Sequence, residues 1–385
     1  MAKYANIIID ISHEKLDRTF QYKIPEQLQQ SLTVGMQVLV PFGKGGRTIK
    51  GYVVELTDMA EYDVSKLKSI VAICENSVPI ESHLIALAAW IKKNYGGTMN
   101  QALKTVIPIK QKTVRKEKRT VCLNIGMEEA KEKLAQFKKK HSVARVRLLE
   151  ALLRDGELPY EVVTQKLNVT LSVVRALEQL GIVKIKSEEI YRNPVKEQEK
   201  EQYRLSLNES QKEASNTILS DFNQGIHKTY LLHGVTGSGK TEVYMELISE
   251  VIKKGKQSIV LIPEIALTYQ TLMRFYRRFG DRVSILNSRL SAGERYDQML
   301  RAKRGEIDIM IGPRSALFTP FSNIGLIIID EEHEASYKSE TVPRYHARET
   351  AIARAKMVGA SVVLGSATPS VESYEKALWG EYVLL

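Results

Sequence analysis

Between residues 234 and 241 the chain reads Gly-Val-Thr-Gly-Ser-Gly-Lys-Thr, and this spacing suits phosphate binding. A backbone rich in glycine can curl closely enough for its N–H groups to surround phosphate oxygens. The lysine then reaches the β- and γ-phosphates, and the following threonine offers a hydroxyl to Mg²⁺. An ordinary glycine-rich turn is the alternative. The residues predicted to bind ATP in this stretch are Gly234, Val235, Thr236, Gly237, Ser238, Gly239, Lys240 and Thr241.

A second candidate for chemistry is the acidic cluster in "IGLIIIDEEHEAS". An apolar run leads directly into Asp330-Glu331-Glu332-His333, which predicts a buried strand that ends in carboxylates. Asp330 would share Mg²⁺ with Thr241, through water, and Glu331 would polarise the attacking water. The predicted catalytic residues are therefore Lys240, Asp330 and Glu331. An acidic surface turn is the alternative, but it gives no reason for the apolar run.

A third motif, "VVLGSATPS", places Ser366 and Thr368 just after another apolar run. Ligands of parallel sheets bind at the carboxyl ends of the strands. Hydroxyls at that edge could sense the γ-phosphate and report it to other loops. Taken alone, the segment could also be a simple turn at the end of a strand.

The elements that must position these motifs are apolar strands that alternate with helical patterns after residue 201. The strand candidates are "TYLLHGV", "QSIVLIP", "RVSILNS", "IDIMIGP", "IGLIIID" and "SVVLGSA". Strands this apolar predict a parallel sheet with both faces covered.

Two further regions precede this one. Residues 1–110 predict a small barrel or sandwich, with strands in "YANIIIDI", "FQYKIP", "GMQVLVPF" and "TIKGYVVEL" and a helix ending at Gly96. Residues 111–200 contain three helical patterns and then "IVKIKSEEIYR", interpreted as two short strands. That layout is typical of a winged helix with residues 171–180 as the recognition helix, although a helical spacer fits as well. Polar linkers are predicted at 111–118 and 193–204.

The chain carries 56 Lys and Arg against 45 Asp and Glu, a formal net charge of +11. This surplus favours a polyanionic partner, with nucleic acid ahead of a membrane surface. Cys74 and Cys122 form no C-x-x-C pair, so they predict free thiols in a reducing compartment rather than a zinc ribbon. No apolar run is long enough to cross a bilayer, and the expected location is the cytoplasm.

In order and spacing, the glycine loop, "DEEH" and "SAT" resemble motifs I, II and III of superfamily-two helicases. "LNESQKEA" resembles the segment in which a glutamine, here Gln211, reads adenine, and "LIPEIALT" resembles motif Ia. "IGPRSALFTPF", "DEEHEASYK…RYHARE" and "PFGKGGRTIKGYVV" resemble the PriA family of primosomal replication-restart helicases. The resemblance covers essentially the whole chain.

This resemblance implies an α/β multidomain fold. It would comprise a small β-rich domain that binds DNA 3′ ends (1–110), a winged-helix domain (111–200) and RecA-like helicase lobe 1 (201–385). The implied function is an ATP-dependent 3′–5′ DNA helicase that recognises stalled or branched forks and starts primosome assembly. Implied partners are forked and single-stranded DNA, primosome proteins and single-strand-binding proteins, at the nucleoid and not at a membrane.

The resemblance also implies DNA contacts. Phe20, Gln21, Gly43 and Lys68 fall where the family binds a 3′ end, although Gln21 stands where relatives often have aspartate. The loop "EASYKSETVPRYHARE" resembles an aromatic-rich loop that couples DNA contact to ATP hydrolysis. Its candidate residues are Tyr337, Tyr345, His346 and Arg348. Arg314 could touch the DNA backbone or brace Asp330, as a further coupling residue.

The family continues into a second lobe with arginine fingers and a zinc module, whereas this sequence ends at "WGEYVLL" and contains no zinc ligands of that kind. We therefore expect ATP and DNA binding with little unwinding, from either a fragment or a binding-only protein. The alternative function is a non-catalytic branched-DNA-binding module with a vestigial ATP site. A GTP switch is disfavoured because no N-K-x-D motif is present.

Overall fold

The structure is a computed structural model that describes residues 2–43, 47–74, 79–107, 117–189 and 206–385. The predicted linker at 193–204 and most of the one at 111–118 lie outside the described residues. The chain forms two compact units, one made of Met1–Thr113 with Asn193–Leu385 and the other of Val114–Arg192. We call the described residues up to 107 the N-terminal domain, residues 117–189 the middle unit, and residues 206–385 the C-terminal lobe.

The N-terminal domain is built on a five-stranded antiparallel sheet of order β2-β1-β4-β3-β5. Burial alternates along β3, because one face of the sheet packs on the core and the other faces outward. The four predicted strands are all present, while β5 and the helix α2 were not predicted. The elements are β1 (Tyr4–Ile9), β2 (Phe20–Lys23), β3 (Gln37–Pro41), β4 (Thr48–Thr57), β5 (Ala72–Ile73), α1 (Ser82–Tyr95) and α2 (Met99–Val106).

The middle unit contains a three-stranded antiparallel sheet of order β7-β6-β8 and three α-helices. The predicted wing of two strands is wrong within the described residues, because Val183–Glu189 is one strand that pairs with Glu117–Leu123. The middle helical pattern forms a π-helical turn at Val162–Lys166. The winged-helix assignment stays a prediction. The elements are β6 (Glu117–Leu123), α3 (Met127–Lys139), α4 (Val143–Asp155), β7 (Glu157–Pro159), α5 (Leu171–Gln179) and β8 (Val183–Glu189).

The C-terminal lobe contains a seven-stranded sheet of order β11-β12-β10-β13-β14-β9-β15, and every pair in it is parallel. All six predicted strands are present, and only the two-residue β15 was missed. The strands are β9 (Thr229–His233), β10 (Gln257–Leu261), β11 (Val283–Ile285), β12 (Ile309–Gly312), β13 (Ile324–Asp330), β14 (Ser361–Ser366) and β15 (Val383–Leu384).

Helices of this lobe cover both faces of the sheet, which explains why its central strands are apolar without alternation. β10 and β14 are buried at every position, and β13 is buried up to Asp330. The helices are α6 (Glu209–Asn223), α7 (Lys240–Lys253), α8 (Tyr269–Phe279), α9 (Ala292–Lys303), α10 (Ala347–Val358) and α11 (Val371–Leu378). Among the described residues, no helix combines the length and apolar character needed to cross a membrane.

A buried arginine joins the N-terminal domain to the C-terminal lobe. Arg354 of α10 is fully buried and donates to the carbonyl oxygens of Leu317 and Thr319. Its other amino group lies 3.0 Å from Nε2 of His83 on α1. Burial and the neighbouring Arg354 lower the pKa of His83 to about 4, so the imidazole is neutral at pH 7 and accepts this bond.

This contact predicts a specific acid sensitivity. The pKa of His83 is lower in the folded chain than the ordinary 6.5, so its stabilising contribution is present above pH 6.5 and declines as pH falls towards about 4. In thermal unfolding experiments, the His83→Gln variant should therefore lose less stability between pH 7 and pH 4 than the unchanged chain does. His141→Gln, at an exposed histidine, is the control. Equal pH slopes for the unchanged chain and His83→Gln would contradict the assignment.

Candidate nucleotide site and N-terminal pocket

The glycine loop connects the end of β9 to the start of α7, as its sequence predicted. The ammonium group of Lys240 lies inside this turn, 2.7 Å from the carbonyl oxygen of Gly234. Gly239 has φ +83°, and a Cβ there would stand 2.3 Å from Nε2 of Gln211. Glycine is favoured at this position by the backbone conformation, and a Cβ there would displace the end of the Gln211 side chain.

Gln211 supports the loop from α6. It forms a capping box with Asn208, and its Nε2 donates to the carbonyl oxygen of Ser238 at 2.8 Å. Its Oε1 accepts the backbone N–H of Asn208 at 2.9 Å. One end of the amide thus holds the loop and the other caps α6, and the reading of adenine by Gln211 stays a prediction.

The register of the sheet brings the three motifs to one edge. Asp330 at the end of β13 pairs with Gly365 of β14, and Ser366 of β14 pairs with His233 of β9. The backbone N–H of Gly234 then donates to the carbonyl oxygen of Ser366 at 3.2 Å. The "SAT" segment therefore lies between the glycine loop and the acidic cluster and contacts both.

Asp330 is held by a buried tyrosine that the sequence did not reveal. The Tyr244 hydroxyl donates to Oδ1 of Asp330 at 3.0 Å, and its ring is 1% exposed. Gly365 makes room for it, because a Cβ there would lie 1.5 Å from the Tyr244 oxygen. Burial raises the pKa of Asp330, while the Tyr244 hydrogen bond and the charge of Lys240 oppose that rise.

Glu331 has a different environment from Asp330. Its φ of +47° lies in the left-handed region, which is strained for a residue with a side chain. Its carboxylate is about one-third exposed and lies 3.7 Å from Nδ1 of His333. The two acids therefore differ: Asp330 is enclosed and oriented, whereas Glu331 faces solvent, where a water molecule can be oriented. The hydroxyl of Thr241 and the carboxylate of Asp330 are hard oxygen ligands, which fit Mg²⁺.

The third acid, Glu332, is fully buried and anchors the whole motif. Its Oε2 accepts from Arg348 at 2.7 Å and from the Ser373 hydroxyl at 2.9 Å, and its Oε1 accepts the Ser370 N–H at 2.7 Å. Burial acts to raise the pKa of Glu332, but these hydrogen bonds outweigh it and hold that pKa below its usual range. Burial likewise acts to lower the pKa of Arg348, and Glu332 outweighs it, so both groups are charged.

Ser366 is enclosed, so its predicted direct contact with the γ-phosphate is not supported. Its hydroxyl is fully buried, lies 2.8 Å from Nδ1 of His333 and accepts the N–H of Thr368 at 3.0 Å. Ser366 thus contacts His333, the last residue of the acidic cluster. Thr368 is exposed, and its hydroxyl is accessible to a ligand.

The predicted DNA-stacking role of the aromatic-rich loop does not fit its burial. Tyr337 is 1% exposed and its hydroxyl lies 2.6 Å from the carbonyl oxygen of Asp330, while Tyr345 is 4% exposed and packs edge-on against Phe318. Both rings are core groups, because the Tyr337 hydroxyl and the edge-on Tyr345 ring find partners inside the lobe. Neither presents a face to a base.

The charged residues of this loop also have structural partners. Arg348 is 7% exposed and binds Glu332, and His346 caps α10 by accepting the N–H of Arg348. Arg314 braces the loop, not Asp330, because it donates to the carbonyl oxygens of Ser336 and Lys338.

The four N-terminal residues predicted to contact DNA line one pocket of about 470 Å³. Phe20 packs edge-on against Phe42 at 5.4 Å between ring centroids, and the Arg18 guanidinium lies 5.0 Å from the Phe20 centroid. Lys68 donates to the carbonyl oxygen of Gly43 at 2.8 Å. Arg18 was not predicted to line this pocket, although it lies only two residues before Phe20 in the sequence.

Gln21 lies deeper in this pocket than predicted. It is 6% exposed, its Nε2 donates to the carbonyl oxygen of Met59 at 3.1 Å, and its Oε1 accepts the N–H of Glu61 at 2.8 Å. The amide keeps one donor and one acceptor for a ligand. Its clearest role is to fix the segment after β4 against β2.

Removal of the Glu332 charge should destabilise the folded chain. Glu332→Gln leaves Arg348 buried without its full partner, and we expect a loss of about 3–5 kcal/mol in the free energy of unfolding. Urea denaturation measures this as a lower midpoint at unchanged slope. Glu349→Gln is the matched control, since Glu349 binds the same Arg348 from a more exposed position and should cost under about 1 kcal/mol. Equal midpoints for the two variants would contradict the anchoring role.

Comparison with known proteins identifies both parts of the larger unit. A family model described as "3'DNA-binding domain (3'BD)" matches residues 6–108, and one described as "Type III restriction enzyme, res subunit" matches residues 204–371. Curated proteins named "Replication restart protein PriA" match nearly the whole chain. The one from Bacillus subtilis is 34% identical and the alignment covers 99% of this chain and 55% of that protein. The one from Haemophilus influenzae is 36% identical, with 95% and 50% covered.

The chain thus spans about half the length of the curated relatives it matches. The expected fold class is confirmed: an N-terminal antiparallel domain of the 3′ DNA-binding family is combined with a parallel, RecA-like helicase lobe. Residues 6–108 thus match the 3′ DNA-binding domain family, and over nearly its whole length the chain is similar to about half of each of these replication restart proteins PriA.

Proposed function

We propose that this chain binds ATP and Mg²⁺ at the glycine loop and DNA through its N-terminal domain. It would do so as part of an ATP-dependent 3′–5′ DNA helicase that acts at stalled or branched forks and starts primosome assembly. The observation that carries the proposal is the meeting of the loop, the acidic cluster and Ser366 at one sheet edge, with Gly234 bonded to Ser366. Primosome and single-strand-binding proteins as partners rest on the resemblance to the family.

Each residue of the nucleotide site would have a separate role. The loop N–H groups and Lys240 hold the phosphate tail, and Thr241 and Asp330 supply oxygen ligands for Mg²⁺. When bound, Mg²⁺ neutralises charge on the phosphates. Tyr244 fixes the orientation of Asp330, and the more exposed Glu331 orients the water.

We expect slow turnover when these 385 residues are assayed alone. The resemblance places arginine fingers in a second lobe, and such a finger is worth roughly 10³–10⁵ in rate. Binding of ATP should therefore be easier to detect than its hydrolysis, and unwinding should be minimal.

The second candidate is a branched-DNA-binding module with a vestigial ATP site. It is favoured by the N-terminal pocket, whose lining residues all belong to the N-terminal domain and include none from the nucleotide site. In this case DNA affinity would not depend on nucleotide.

Lys240→Ala tests the nucleotide site. Loss of its ammonium group should weaken binding of a fluorescent ATP analogue roughly tenfold or more in the presence of Mg²⁺, which corresponds to at least about 1.4 kcal/mol. Lys254→Ala, at an exposed lysine beyond the end of α7, should leave that affinity unchanged. If Lys240→Ala binds the analogue as tightly as Lys254→Ala, the site assignment is wrong.

Lys68→Ala tests the N-terminal pocket. We expect weaker binding of an oligonucleotide with a free 3′ hydroxyl, a smaller advantage over the same strand with a blocked 3′ end, and a salt slope lower by about 0.7 if one phosphate contact is lost. Lys93→Ala, at an exposed lysine of α1, is the control. A preference for the free 3′ end that survives Lys68→Ala undiminished would argue against the pocket.

A further inference from the structure

The first turn of α7, which follows the glycine loop, contains a buried carboxylate. Glu242 stands two residues after Lys240, and its side chain is 10% exposed. In the proposed function the nucleotide phosphates bind at this same end of the helix, where the macrodipole is positive. A negative side chain in the first turn therefore competes with a phosphate for the positive end of α7.

Arg274 of α8 balances the charge of Glu242. Its Nη2 donates to Oε1 of Glu242, and its side chain is 46% exposed. Among the residues that the structure describes, the Glu242 carboxylate has no other hydrogen-bond or ion-pair partner. A carboxylate shielded from water needs such a partner, because solvent neither hydrates nor screens it well. Arg274 thus keeps the charge of Glu242 compensated.

A second ion pair joins the same two helices one turn farther along. Arg278 of α8 donates to Glu246 of α7. Four residues of α-helix correspond to about 6 Å, so Glu246 lies about that much farther from the glycine loop than Glu242 does. Both pairs hold α8 against α7, but the pair of Glu242 and Arg274 is the one whose charges adjoin the proposed phosphate site.

The two pairs also differ in which partner is enclosed. In the first pair the carboxylate is enclosed and the arginine is half-exposed, whereas in the second the arginine is 11% exposed and the carboxylate 36%. Loss of Arg274 would therefore leave an enclosed negative charge, whose field water and salt screen weakly. Loss of Arg278 would leave a carboxylate that water can reach.

We propose that Arg274 is a positioning residue for the nucleotide phosphates. It neutralises Glu242 and so keeps the positive end of α7 available to an anion. Arg274 acts through Glu242 rather than by contact with the nucleotide. The inference rests on the proposed function, and it adds a residue that lies outside the glycine loop, the acidic cluster and the segment around Ser366.

The test measures the affinity of the full chain for the fluorescent ATP analogue in the presence of Mg²⁺. Arg274→Gln should weaken binding roughly threefold or more, because an uncompensated negative charge then remains at the end of α7. Arg274→Lys keeps the positive charge and should restore most of the affinity. Arg278→Gln is the matched control, since it removes an ion pair between the same two helices and should leave the affinity unchanged.

A double variant separates neutralisation of charge from the packing of α8. Arg274→Gln combined with Glu242→Gln lacks the ion pair but also lacks the negative charge, so its affinity should return to about that of the unchanged chain. If the pair acts only by holding α8 in place, the double variant should bind as weakly as Arg274→Gln. Glu242→Gln alone should bind the analogue at least as tightly as the unchanged chain, and it provides a second test if Arg274→Gln does not fold.

The proposal is overturned if Arg274→Gln binds the analogue as tightly as the unchanged chain, or if Arg278→Gln weakens binding to the same extent. It is also overturned if Glu242→Gln weakens binding or if the double variant is not restored. A failure of the proposed nucleotide site has a different signature, because the unchanged chain would then bind the analogue no better than Lys240→Ala does.

Discussion

The arrangement of the nucleotide site depends on one buried carboxylate. Glu332 is inaccessible to solvent, and a charged group in that position is stable only if its hydrogen-bonding capacity is met. Arg348 at the start of α10 and two serines at the start of α11 meet it. One side chain thus ties the end of β13 to the first turns of two helices, and its removal would leave a second charge, that of Arg348, buried and underpartnered.

With Glu332 fixed, the neighbouring acids have little freedom. Asp330 is the last residue of β13 and is oriented by the Tyr244 hydroxyl. Glu331 has a left-handed backbone conformation that turns its side chain outward. His333 then reaches Ser366, whose carbonyl oxygen receives the N–H of Gly234 from the glycine loop. Four consecutive residues therefore have four different environments: Asp330 is enclosed and bonded to Tyr244, Glu331 faces solvent, Glu332 is buried against Arg348, and His333 contacts the neighbouring strand.

Much of this fold could be predicted from apolar runs and glycines, because strands buried on both faces and phosphate loops have distinctive local sequences. The strands of the parallel sheet and the position of the glycine loop were predicted correctly. Contacts between residues that are distant in sequence could not be predicted. The hydroxyl of Tyr244 meets Asp330 only because Gly365 on a third segment leaves space, and no local pattern carries that information.

The aromatic-rich loop is a second case in which the local sequence did not predict the contacts of its side chains. Tyr337 and Tyr345 lie in a polar segment, which suggests exposure, yet buried carbonyls and Phe318 hold both of them inside the lobe. Arg348 in the same segment is committed to Glu332 for the same reason.

The most direct test of this account is a crystal structure of the chain with a non-hydrolysable ATP analogue and Mg²⁺. The account predicts that Lys240 leaves the Gly234 carbonyl for the phosphates, that Asp330 faces the metal while still bonded to Tyr244, and that Glu332 keeps its contacts with Arg348 and Ser373. A structure in which Glu332 leaves Arg348 to approach the metal, or in which Asp330 turns away from it, would contradict the central role assigned to the buried carboxylate.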